Sequence, residues 1–125
     1  PFEDGPYYNF ECNAAGKMYI ACGMTREGRK QVAAIHYHNV KRWTSFGRKT
    51  FKEKNGRQTW EVALIIPLDV MTSHHLRHPR GMTMRANFYK CGDKLAKPHF
   101  LSWNPVDCDH PDFHRPSSFG KITFV

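Results

Sequence analysis

The most constraining stretch of the chain is residues 82–124, where GMTMRANFYKCGD is followed by PHFLSWNPV and then by PDFHRPSSFGKITF. Within its first part Met84, Ala86 and Phe88 alternate with Arg85, Asn87 and Tyr89. Side chains along a strand point to opposite faces in turn, so this segment can lay one face on a core and present a cation, an amide and a phenol on the other. Residues 83–91 are therefore expected as one strand and 92–98 as a turn. Residues 100–106 follow as an extended segment carrying Trp103, 107–118 as a loop bracketed by Pro111 and Pro116, and 121–125 as the closing strand.

Upstream, residues 7–13 (YYNFECN) and 18–24 (MYIACGM) read as a hairpin across Ala14, Ala15 and Gly16. A three-residue loop ending in Gly suits the left-handed conformation such loops need. It also sets Tyr8, Phe10 and Cys12 beside Cys22, Ile20 and Met18 on one apolar face, with Asn9, Glu11 and Asn13 opposite, sharing their side with Tyr19 and Ala21. Residues 25–31 read as a charged loop and 32–38 as a strand with Val32, Ala34, His36 and His38 on one face. The Lys- and Arg-rich residues 39–56 read as a long, partly ordered connection. Residues 57–67 (RQTWEVALIIP) are expected as a buried strand ended by Pro67, which has no N–H to donate, and 69–81 as a helical turn followed by loop.

Short strands punctuated by turn residues, in a chain of 125 residues, fit one all-β domain over residues 1–125, an antiparallel β-sandwich. Hydrophobic residues at 40% and aromatic residues at 14% supply enough apolar surface to offset ordering entropy, which excludes a disordered chain. The longest apolar run, residues 62–67, is far short of the ~18–20 residues a membrane helix needs, so membrane insertion is not expected. The formal net charge of +8 draws the chain toward anions without choosing among nucleic acids, acidic glycans and headgroups. Cys12, Cys22, Cys91 and Cys108 show no CxxC spacing. Cys12 and Cys22 share a hairpin face but lie about 13 Å apart along it, beyond disulfide reach.

Four groupings bear on chemistry. Asn9, Glu11, Arg85, Asn87 and Tyr89, with Trp103 at the rim, form the mixture that sugar recognition uses. There an aromatic plate meets the C–H face of a ring while amide, carboxylate and guanidinium groups bond its hydroxyls. An ordinary solvated sheet face would show the same alternation. His36 with His38, the trio His74, His75 and His78, and His110 with His114 do not supply a full ligand set from any one segment, so surface or hydrogen-bonding roles are expected over a transition-metal site. Glu11 is the one carboxylate placed on the polar face, and Asp107, Asp109 and Asp112 share a loop, which is not the opposed pair a glycosidase requires. The cations from Lys41 to Arg57, interleaved with Trp43, Phe46 and Phe51, have the composition of a single-strand nucleic-acid surface but none of its motifs, so no nucleic-acid partner is expected.

Taken together, YYNFECNAAG, MRANFYKCGD, SWNP and FHRPSSFGKITF resemble the bacterial carbohydrate-binding family 9-like domains, relatives of the DOMON β-sandwich group. The likeness runs from Tyr7 onward, apart from residues 33–57, where only length and polarity fit. It implies a sandwich that binds oligo- or polysaccharide without catalysis. Such a domain is an accessory to extracellular polysaccharide breakdown or uptake beside a glycoside hydrolase, in a secreted, periplasmic or cell-surface setting. Trp103 stands where the C-terminal one of two sugar-clasping tryptophans is expected, and Arg85, Glu11 and Asn87 match the polar set. The resemblance also implies strands upstream of YYNFE, so the chain is expected to be the C-terminal two-thirds of the family domain, with the second Trp and part of a structural calcium site lying before it. Two alternatives stand beside this reading: a structural or protein-interaction sandwich with a decayed sugar face, and a DOMON-like haem domain using Met18, Met84 and histidine.

Overall fold

The computed structural model describes residues 5–125. The chain is nearly all β, and every strand pair whose register is defined runs antiparallel, as expected of an antiparallel β-sandwich. It divides into two compact units, one spanning Tyr8–Arg77 and the other joining the segment that ends at Tyr7 with His78–Val125.

In the first unit the hairpin forms as expected. Strands β1 (Tyr7–Cys12) and β2 (Met18–Gly23) flank a loop in which Asn13 N donates to Lys17 O at 3.0 Å and Gly16 adopts φ 71°. The Asn13 side chain adds to the turn by accepting from Ala15 N and Lys17 N at 3.1 and 2.9 Å. Strand alternation then carries Ile20 into a core with Val32, Val40 and Val70, against which Tyr8, Phe10, Met18 and Cys22 pack.

The next segment departs from expectation. Strand β3 is only Lys30–Gln31, paired as Ala21↔Gln31 and Cys22↔Lys30, and Ala34–Tyr37 is a single helical turn rather than part of a strand over 32–38. Val32 and Val40 at either side are buried while Ile35 is 80% exposed. The two valines satisfy the core, and the residues between them have no neighbouring ladder to join.

The basic connection holds a strand that its composition concealed. Strand β4 (Lys41–Thr44) pairs with β5 (Val62–Ile65) in the register Lys41↔Ile65, Arg42↔Leu64, Trp43↔Ala63 and Thr44↔Val62. Residues 57–67 are correspondingly not one buried strand. Along β5 only Leu64 is partly covered: Val62 is 38% exposed, and Ile65 and Trp43 are 66% and 55% exposed on the face they share. Thr44 is buried on the other face, its hydroxyl donating to Gly47 O at 2.8 Å. Pro67 ends β5 as expected, and Leu68–Val70 makes the short turn that sends Val70 inward.

In the second unit the expected strand 83–91 is two strands. Strand β6 (Thr83–Ala86) pairs with β9 (Gly120–Thr123), and β7 (Tyr89–Cys91) pairs with β8 (Phe100–Ser102). Between them, at Asn87 and Phe88, the ladder is interrupted. A half-buried aromatic stack lies beside β7 and β8: Tyr89 lies flat on Phe113 at 4.2 Å between centroids, with the more exposed Phe100 edge-on at 6.1 Å. Tyr7 is buried, meets Phe119 edge-on at 6.0 Å, and its hydroxyl is 3.1 Å from His114 Nδ1.

Candidate functional site

The interruption at Asn87 and Phe88 has a local cause. The Asn87 carboxamide takes over the work of the ladder: its Oδ1 accepts from Phe88 N and Asn104 N, both at 2.9 Å, and its Nδ2 donates to Asn104 O at 2.8 Å and Ser118 O at 3.2 Å. A carboxamide has two donors and two strong acceptor positions, so Asn87 is fully engaged. It clamps residues 87–88, 104 and 118 to one another.

That clamp reverses the alternation expected along 83–91. Phe88, assigned to the core side, is instead 61% exposed and lies beside Trp103, itself 53% exposed, with ring centroids 5.6 Å apart and planes tilted 60°. Trp103 N donates to Phe88 O at 2.9 Å, which joins the two residues through the backbone as well. A Cβ at Gly120 would sit 2.9 Å from the Trp103 ring, so the indole rests on bare backbone. Periodicity alone could not identify Phe88 as part of this exposed pair.

Arg85 stands on the solvent face of β6, opposite Lys121 on β9. Its Nε and Nη2 both donate to Phe119 O, at 3.1 and 2.9 Å, and Nη2 also donates to Ser117 O at 2.9 Å. Nη1 makes no hydrogen bond among the described residues and remains available to a ligand. Tyr89, expected on the same open face, turns its hydroxyl inward. That oxygen is buried without a hydrogen-bond partner, and burial pushes the phenol above its ordinary value near 10, against a smaller opposing pull from the neighbouring Asn87 amide. The two groups lie close without reaching hydrogen-bond geometry.

Asn9 and Glu11 belong to the first unit, where the structure adds a residue that pattern reading left in a loop. Arg29 Nη1 donates to Asn9 Oδ1 at 2.8 Å and lies 3.6 Å from Glu11 Oε1, while Asn9 Nδ2 donates to that same Glu11 oxygen at 2.8 Å. The guanidinium is largely buried and the carboxylate largely exposed, so the triad holds an oriented acceptor at the surface. Its partner lay eighteen residues away along the chain from Glu11, with no periodic signal to join them.

Some of the remaining candidates are engaged within the fold. His74 packs edge-on against Tyr8 at 5.6 Å, and Asp112 accepts from His114 N at 3.0 Å and pairs with Arg115. Met18 packs against the Ile20 core. No three His, Cys, Asp or Glu side chains converge as a metal site among the described residues. No helix among those residues is long and apolar enough to cross a membrane.

The family model described as Carbohydrate-binding family 9 matches residues 1–124. A crystal structure of a protein from Bacteroides uniformis ATCC 8492, to which carbohydrate binding is ascribed, is similar with a TM-score of 0.93 and 43% sequence identity. The similarity covers all of this chain and 57% of that one, so the chain spans a little over half of its relative's length. No curated protein matches the chain.

Proposed function

The chain belongs to carbohydrate-binding family 9, and from that premise we propose that it binds oligo- or polysaccharide, without catalysis, through the exposed Phe88–Trp103 pair and the groups around it. The observation that carries this reading is the pair itself: two adjacent, tilted aromatic rings left open to solvent on a rigidly bonded support. Aromatic rings have large apolar faces suited to the C–H surface of a pyranose, and burial of such a face drives stacking. Arg85 supplies directional donors from Nη1 toward ring hydroxyls. Asn87 acts by positioning, since its own hydrogen-bonding capacity is spent on the backbone, and Tyr89 supports the same region from within. In the other unit Asn9 and Glu11, oriented by Arg29, are proposed as sugar-contacting groups in their own right.

Affinity should be modest, because an open surface desolvates only part of a sugar and must offset its lost freedom with few contacts. We further propose that the domain works outside the cytoplasm, secreted, periplasmic or on a bacterial surface, as one domain of a longer polysaccharide-handling protein or beside a glycoside hydrolase. The test is calorimetric titration with the ligands identified on a glycan array. Trp103→Ala should weaken binding by about tenfold or more, the scale expected for losing one stacked ring, while the circular dichroism spectrum is unchanged. Undiminished binding by a folded Trp103→Ala protein would remove the assignment.

A further inference from the structure

The chain's positive charge is unevenly distributed. Residues 8–77 hold twelve Lys and Arg against five Asp and Glu, which is +7 of the total +8. Within them, residues 41–57 carry seven cations and the single acid Glu53. These residues comprise β4 and most of the arm that leads to β5. Lys41 and Trp43 share the solvent face of β4 with Ala63 and Ile65 of β5, and Trp43 is 55% exposed opposite the small Ala63. Beyond β4, Arg48, Lys49, Lys52, Lys54 and Arg57 are all exposed, and none forms an ion pair among the described residues. Lys54 lies over the Phe46 ring at 4.2 Å, and Phe46 meets Phe51 edge-on at 5.4 Å, which gives the arm a small aromatic knot of its own.

We propose that this face, the Trp43 plate with its adjoining cationic arm, is a second glycan contact surface and that its ligand class is an anionic polysaccharide bearing carboxylates or sulfates. The inference rests on the reading of the chain as a glycan binder and adds the charge of the glycan. A plate flanked by Lys41 two residues along the strand, about 7 Å away, suits a sugar ring stacked on Trp43 with an acidic substituent at the ammonium. The exposed cations then track successive charges of an extended chain. Nucleic acid fits less well. Sequence-tolerant single-strand binding uses several aromatic platforms in succession, whereas Phe46 and Phe51 are turned edge-on against each other beside Lys54, and Trp43, at 55% exposure against 39% for Phe51, is the most open ring of β4 and the arm.

The test compares polygalacturonate, neutral xylan and single-stranded poly-dT as probes at low and high salt, using the wild-type chain, Trp43→Ala, the double variant Lys49→Glu/Lys52→Glu, and Trp103→Ala. All three variants alter exposed residues, and thermal melts establish that each is folded. Expected results are tighter binding of polygalacturonate than of xylan or poly-dT, weakening with salt, and a loss of about tenfold in Trp43→Ala that persists at high salt. The charge-reversed variant should lose affinity chiefly at low salt. Equal or tighter binding of poly-dT would overturn the proposal, as would polygalacturonate binding indifferent to both arm variants. Neutral-glycan binding that is lost in Trp103→Ala, with no binding of polygalacturonate, would overturn this inference and leave the family site standing. Failure to bind any glycan, neutral or acidic, would remove both.

Discussion

At the scale of single residues, the aromatic pair depends on the neighbours that support it. Gly120 is one. In Gly120→Ala the new methyl would meet the Trp103 ring at 2.9 Å, so the indole must shift. Sugar affinity is expected to fall severalfold with little change in chemical stability, as measured by titration and urea unfolding on the same sample. Asn87 is the opposite case. Asn87→Ala removes the partner of the Phe88 and Asn104 amides and of the Asn104 carbonyl, while Ser118 O keeps its 2.8 Å bond from Asn104 Nδ2, and leaving such partly buried groups unpaired should cost about 2–3 kcal/mol in urea unfolding. Tyr89 gives a pH dependence. Its phenol is protonated in both folded and unfolded chains below the ordinary value near 10, and burial raises the folded value. Stability is therefore intact below that point and lost as pH rises through the folded pKa. Tyr89→Phe should melt no lower than wild type at pH 8, since it removes a buried hydroxyl without a partner, and should lose less stability than wild type between pH 9 and 11.

At the scale of elements, hairpin chemistry was legible and strand continuity was not. The Ala14–Ala15–Gly16 loop could be read because it requires a left-handed residue in one place, and Gly16 stands there with φ 71°. Gly16→Ala should cost about 1 kcal/mol in thermal unfolding for the same reason. The strand over 83–91 was misread in its middle, because alternation of Phe88 and Asn87 says nothing about a carboxamide that captures backbone groups seventeen and thirty-one residues away. Strand β4 was hidden in a run of Lys and Arg, since one face of a two-stranded ladder can be fully wet and leave only Thr44 buried as a clue. The Asp69 turn and the Pro67 stop were visible because proline acts locally. Of the candidate site, Trp103 and Arg85 could be chosen from the sequence; Phe88 and Arg29 needed the fold, their partners being brought in by tertiary structure. Among the described residues, 48–60 make no backbone–backbone hydrogen bond. Limited trypsin digestion should accordingly cut first between Arg48 and Arg57, as mass spectrometry of the earliest fragments would detect.

At the scale of the whole molecule, cohesion comes from packing within each unit rather than from covalent cross-links. All four cysteines are free. Adding a thiol reductant should leave the melting temperature unchanged, and a fall would reveal a bridge that forms only under oxidation. The arm after β4 also makes the protein responsive to its medium. Its like charges repel across a screening distance of about 30 Å in very dilute electrolyte but only about 8 Å at physiological ionic strength. The reach of its field toward an anionic polymer is therefore longer in fresh water than in brine. A glycan binder of the proposed kind, carrying such a segment, would gather acidic polymer most readily where ions are scarce and let it go as they accumulate.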